Sequence, residues 1–313
     1  MRWLERVAGG QTRGPDPALA AVKSYRYLRL AMVAMVLGLA VAVGHEVLRV
    51  EGNCWQTSLS GYYYTPVQNL FVGALVAIGL CLVALKGSTD SEDVLLNFAG
   101  ICAPFVALVP IHDPGTCGVV TGDVNRDLNI ANNVVALLAV FGAALVALAA
   151  LWFHNRRRAT GEPPPTRIEL LGYAGSVLVL LAAVAVFWLQ PEWFDRYGHL
   201  VAAIAMFVFV FVNVVVNAVN LYYERRGTDA PVRRLNGYTW IALAMVASVV
   251  GSLLLGWRGV EHWLLLVESS LIGWFAVFWG FQTWELWNQG LRTDPATSRN
   301  GPTAPMPAAP RTG

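Results

Sequence analysis

The chain is 313 residues long, 56% hydrophobic and 13% charged, against about 25% charged in a soluble domain. Its formal net charge of +2 implies neither a nucleic-acid partner nor an acidic one. With lysine only at Lys23 and Lys86 and so much Ala, Val and Gly, the composition points to a GC-rich bacterial genome and to membrane rather than water as solvent.

Residues 1–26 form a basic tail with Arg2, Arg6 and Arg13 around the Gly/Pro stretch Gly9–Pro17. They lack the apolar core of a secretory signal, so the tail is expected to be cytoplasmic and partly disordered, and the span near Tyr27 an uncleaved anchor. A helix needs about 20 mostly apolar residues to cross a bilayer. Such stretches fall at 28–47, 67–86, 93–111, 130–153, 168–190, 199–223, 238–257 and 263–285. The sequence therefore predicts an all-α polytopic transmembrane bundle of about eight spans over residues 27–287, with a disordered cytoplasmic tail over 288–313.

Cations set the orientation. With the N-terminus inside, the cytoplasmic segments hold Lys23 with Arg26, Lys86, Arg156–Arg158 with Arg167, Arg225 and Arg226 with Arg233 and Arg234, then Arg292 and Arg299. Each outer segment holds one, namely Arg49, Arg126, Arg196 or Arg258. That is the positive-inside bias of a chain with both termini in the cytoplasm. Trp193, Trp257, Trp263 and Trp287 fall at span ends, where interfacial aromatics sit. The expected location is the bacterial inner membrane. In the turn Gly87–Asp93, Thr89 or Ser91 can cap the third span, with Asp90, Glu92 and Asp93 at its positive end.

Candidate site residues collect on the outer side. Cys54 and Cys117 fall in the first two outer loops, in a disulfide-permissive compartment, and are predicted to be bridged. Cys81 and Cys102 lie within spans as packing residues. His45, His112, His199 and His262 map to outer span ends, whereas His154 is cytoplasmic. A zinc set of His112, Asp113, His199 and Glu268 is the alternative to scattered interfacial histidines, although no H-x-x-x-H or H-E-x-x-H spacing supports it. Glu268 lies about 9 Å into the last span at 1.5 Å per residue. An ionisable group there is either a functional site or a hydrogen-bonded lock between helices. In the sixth span Asn213, Asn217 and Asn220 share a face with Met206 and His199, as interhelical glue or as a polar lining. Asn129, Asn132 and Asn133 open the fourth span at the level of His199. Tyr62, Tyr63 and Tyr64 stand before the second span, where rings favour the headgroup level, followed by a Thr65-Pro66 helix start and Asn69.

The segments SLSGYYYTPVQNLFVGAL (58–75), KGSTDSEDVLLNFAG (86–100), VALVP (106–110), ANNVVALL (131–138), HLVAAIAMF (199–207) and VESSLIGWFAVFWGFQT (267–283) resemble a family of actinobacterial integral membrane proteins to which no reaction is attached. More distantly, Ser60 with Pro66, Asn97, His199 with Ala203, and Glu268 resemble the pattern of the damage-regulated autophagy modulator superfamily. That superfamily has six spans, and this chain has an additional pair before His199. The resemblance implies membrane lipid handling.

Three functions are weighed. The first is a non-enzymatic protein that binds or moves a lipid or small polar molecule through an outward-facing polar pocket lined by Tyr62–Tyr64, Asn69, Asn132, His199, Asn213 and Glu268. The second is a zinc-dependent hydrolase of outer-leaflet lipids, similar to the alkaline ceramidase-like superfamily. The third is a structural or accessory subunit whose polar stripes dock other helices, with the glycine-containing spans (Gly73 and Gly79, Gly251 and Gly256) suited to close packing. No Walker loop accompanies the spans and neither lysine is mid-span, which argues against a primary pump and a retinal protein. Oligomeric state is not legible.

Overall fold

The computed structural model describes residues 17–112, 117, 126–158, 164–226 and 235–292. These residues form eight long helices: α1 (Pro17–Arg49), α2 (Gln68–Ala84), α3 (Asp90–Leu108), α4 (Arg126–Arg158), α5 (Arg167–Leu189), α6 (Pro191–Arg226), α7 (Gly237–Trp257) and α8 (Trp263–Glu285). A short 3₁₀ turn, Ser60–Tyr64, precedes α2. No strand occurs among the described residues. The protein is an all-α polytopic bundle.

Local chemistry sets several helix ends. Thr89 caps α3 by accepting from Glu92 N–H, and Thr166 with Glu169 forms a capping box on α5. Asn236 caps α7. The segment 191–198, expected as a loop, is helical. Pro191 supplies the first residue of α6, where its missing N–H costs nothing, and Gln190 alone separates α5 from α6. The turn between α7 and α8 needs Gly259 at φ +81°, a left-handed conformation that favours glycine.

Seven of the helices are long and apolar enough to cross a membrane; α2, with 17 residues, is shorter. At 1.5 Å per residue α2 still rises about 25 Å. The loop before α2 is disulfide-linked to the segment after α3 through Cys54 and Cys117, with Cα atoms 5.7 Å apart. Beyond the other end of α2, Ser88 Oγ accepts from Arg292 N–H, which lies past α8. Thus α2 runs the full height of the bundle, and all eight helices alternate in direction.

Six helices close a ring. Contacts run from α1 to α2, α3, α6, α7, α8 and back to α1. The α4–α5 pair packs outside this ring against α3 and α6, and its helices are the two least buried spans. It precedes His199 in the sequence. One core fills the half of the ring nearer Lys86, around Met32, Leu82, Tyr238, Phe278 and Trp279. A second fills the half nearer the disulfide, around Leu39, Phe71, Ala103, Met206 and Leu265, and it includes all three tyrosines.

Two expected boundaries move. Helix α1 begins at Pro17, ten residues before the expected span at Tyr27. Residues 288–292 fold onto the bundle instead of joining a disordered tail. Arg26 Nε donates to Trp287 O, Arg29 Nη2 donates to Gly290 O at 2.9 Å, and Arg292 is buried. The basic stretch 1–16 and the tail 293–313 lie outside the described residues.

Candidate functional site

The segment 56–64 is the centre of the outer half. Its 3₁₀ turn bonds Gly61 N–H to Ser58 O and Tyr62 N–H to Leu59 O, which leaves the N–H groups of Leu59 and Ser60 without partners in the turn. Glu268, one turn into α8, supplies them. Its Oε2 accepts from Leu59 N–H at 2.6 Å and from Ser60 N–H at 3.1 Å, and its Oε1 lies 3.3 Å from Ser60 Oγ. The first turn of α8 has orphan donors of its own, and Leu265 N–H donates to Thr57 O at 3.0 Å. His262 Nδ1 approaches Gln56 O at 3.3 Å.

His199 sits on α6 with 5% of its surface exposed. Its Nδ1 lies 2.6 Å from the carbonyl oxygen of Val109, just past the end of α3, and its Nε2 lies 2.9 Å from Ser60 Oγ. Glu268, Ser60 and His199 therefore form one continuous chain of contacts across α8, the 3₁₀ turn and α6.

Tyr62, Tyr63 and Tyr64 are buried, at 1%, 6% and 4% exposure. They pack inside the disulfide-bearing end of the ring rather than facing outward from it. Tyr64 Oη donates to Ile111 O at 2.6 Å. Burial pushes the Tyr62 phenol above its ordinary value. The tyrosines expected to line an outward-facing pocket are thus themselves buried in the core. The open space lies sideways, where a cavity of about 360 Å³ opens between α6, α7 and α8. Phe207, Phe211, Met245, Val249 and Leu271 line it, and Glu268 is the one ionisable residue in its wall.

The remaining site candidates separate. Asn69 and Asn132 are exposed on the outside of α2 and α4. Asn213 is buried near the opposite end of the ring. Among the described members of the zinc set, His112 is exposed and pairs with Asp195 at 3.1 Å, while both ring nitrogens of His199 are engaged. Asp113 lies outside the described residues. Among the described residues no three His, Cys, Asp or Glu side chains form a metal-sized group.

The asparagine stripe of α6 joins helices. Gln282 Nε2 donates to Asn217 Oδ1 at 2.8 Å, and Asn220 Nδ2 donates to Glu92 Oε1 at 2.6 Å. Glu92 is 2% exposed and also accepts from Ser88 N–H, so it is a core group and not only a dipole partner. Arg29 Nε and Nη1, Asn213 Oδ1, Trp279 Nε1 and Gln282 Oε1 have no partner among the described residues, and all four side chains face one small polar cavity. Nearby, Arg292 gathers Glu224, Glu285 and Tyr238. Burial opposes its charge, but these oxygens more than offset that and hold Arg292 above the ordinary arginine range. Lys86 is likewise held above its usual value, burial being outweighed by its ion pair with Asp93.

No known family model, curated protein or solved structure matches this chain. The fold is that of a multi-pass α-helical membrane protein, with the 3₁₀ turn buried at one end of the ring and a groove opening sideways between α6, α7 and α8.

Proposed function

We propose that the protein binds an apolar chain of a membrane lipid, or of a comparable amphiphile, in the groove between α6, α7 and α8, in a bacterial inner membrane. The supporting observation is that groove: about 360 Å³, apolar throughout, with Glu268 as its one ionisable wall residue. Ligand sites of a few hundred Å³ with apolar walls and few convergent polar groups are the usual form of a small-molecule pocket. The lining positions 200–211 of α6 extend about 16 Å along the helix axis at 1.5 Å per residue. A chain lying along it contacts apolar side chains, and its polar end meets Glu268. Lipid extraction from the detergent-purified protein is the test. Val249→Trp fills the groove and is expected to remove a copurifying lipid, whereas Val140→Trp on the exposed face of α4 retains it. Equal lipid in both variants would defeat the reading.

A further inference from the structure

The contacts of the Glu268–Ser60–His199 chain fix where its hydrogens lie. The carbonyl oxygen of Val109 only accepts, so His199 Nδ1, 2.6 Å away, carries a hydrogen. Glu268 Oε2 accepts two backbone N–H groups, so it carries none. Two contacts remain, Nε2 to Oγ at 2.9 Å and Oγ to Oε1 at 3.3 Å. For both to be hydrogen bonds each needs a hydrogen, and the Ser60 hydroxyl has one; a second then resides on Glu268 Oε1 or on His199 Nε2, without which the 3.3 Å contact sets two oxygen lone pairs against each other in a buried site.

We propose that Glu268, Ser60 and His199 form a proton-binding site that holds one transferable proton between carboxyl and imidazole. With the proton on Oε1, Glu268 donates to Ser60 and Ser60 donates to His199. With it on Nε2, His199 donates to Ser60 and Ser60 donates to Glu268. The two arrangements contain the same atoms and differ by a paired shift of two hydrogens through Oγ. Loss of the proton leaves a carboxylate and a neutral imidazole competing for one hydroxyl hydrogen. Gain of a second makes both neighbours donors and strands the hydroxyl hydrogen. The neutral arrangement avoids separating charge in an apolar surrounding and is the expected resting form.

Of the other ionisable side chains at this end of the packed elements, His45 on α1 is exposed and the nearer ones are engaged elsewhere. Glu46 on α1 pairs with Arg49, His112 pairs with Asp195, and His262 meets Gln56 O. Tyr62 accepts from Gln56 N–H, and Tyr64 donates to Ile111 O. Helices α2 and α7 carry no carboxylate, imidazole or basic side chain. Because Glu268 also lines the groove, the position of this proton sets whether the groove meets an acid or a carboxylate. The site rests on the hydrogen-bond geometry and stands whether or not the groove takes a lipid.

The test is spectroscopic, on the full chain in bilayers near neutral pH. Nitrogen NMR of labelled histidine reads the charge and tautomer of His199, and the infrared carbonyl band reads Glu268. Glu268→Gln and His199→Gln identify the signals; if either fails to fold, Ser60→Ala identifies them by shifting both together. The expected result is a carboxylic-acid band with a neutral His199 bearing hydrogen on Nδ1. A carboxylate with an imidazolium also holds one proton and supports the site. A carboxylate beside a neutral imidazole, or an acid beside an imidazolium, would overturn it. So would covalent capture of Ser60 by a fluorophosphonate, which would make Ser60 a nucleophile.

Discussion

Glu268 serves two backbone N–H groups that the 3₁₀ turn leaves unpaired, and this defines what its substitution does. Glu268→Ala strands both donors in a buried segment, at about 1–3 kcal/mol each. Glu268→Gln keeps an amide oxygen for them and an N–H for Ser60 Oγ. The alanine variant is therefore expected to melt well below wild type in detergent, and the glutamine variant close to it. Equal losses would mean that the carboxyl does not cap the turn. Glu268 and His199 were legible in the sequence because an ionisable group within or beside an apolar span is conspicuous. Ser60 was not legible from its own chemistry: a lone hydroxyl in a loop is unremarkable until two helices converge on it. Asn69 and Asn132 misled because span position gives depth, whereas membership of a site also needs the direction around the helix axis. Arg29 is inconspicuous inside an apolar run, and the folded-back segment 286–292 explains its burial.

Between elements, the backbones of α2 and α3 approach closely at two glycines. A Cβ placed on Gly79 would lie 2.7 Å from Gly100 O and 2.9 Å from Pro104 Cδ, and one on Gly100 would lie 2.7 Å from Gly79 O. The neighbouring atoms are backbone and a proline ring, which cannot swing aside. Gly79→Ala is expected to cost about 1–3 kcal/mol through overpacking. A Cβ on Gly73 meets nothing within 4 Å, so Gly73→Ala should be neutral or gain up to about 1 kcal/mol of helix propensity. Thermal melting of the two variants in one detergent distinguishes them, and a destabilising Gly73→Ala would contradict this packing. The small-residue pattern pointed correctly to Gly79 but equally to Gly73 and Gly251, neither of which touches a neighbour. Helix existence was readable from apolar length. Helix ends were not, because Pro191 continues the structure across an expected loop and polar residues extend α1 and α4 past their apolar stretches.

Across the whole molecule, two independent arguments give one orientation. The end carrying Arg26, Lys86, Arg225, Arg226 and Arg292 is the cation-rich end, which the positive-inside bias assigns to the cytoplasm. The opposite end carries the Cys54–Cys117 disulfide, which persists in an oxidising compartment. Charge and redox chemistry act through different physics, so their agreement constrains the topology more than either does alone. The alternation also depends on α2, the shortest helix; were it not a crossing, every later loop would change sides. A background with Cys81→Ala and Cys102→Ala leaves the disulfide as the only native cysteine pair. In that background Glu261→Cys, exposed in the α7–α8 turn, is expected to react with a membrane-impermeant maleimide on intact cells. Leu235→Cys, exposed before α7, is expected to react only after the membrane is opened. The reverse pattern would invert the protein, and labelling of both in sealed cells would remove α7 as a crossing helix.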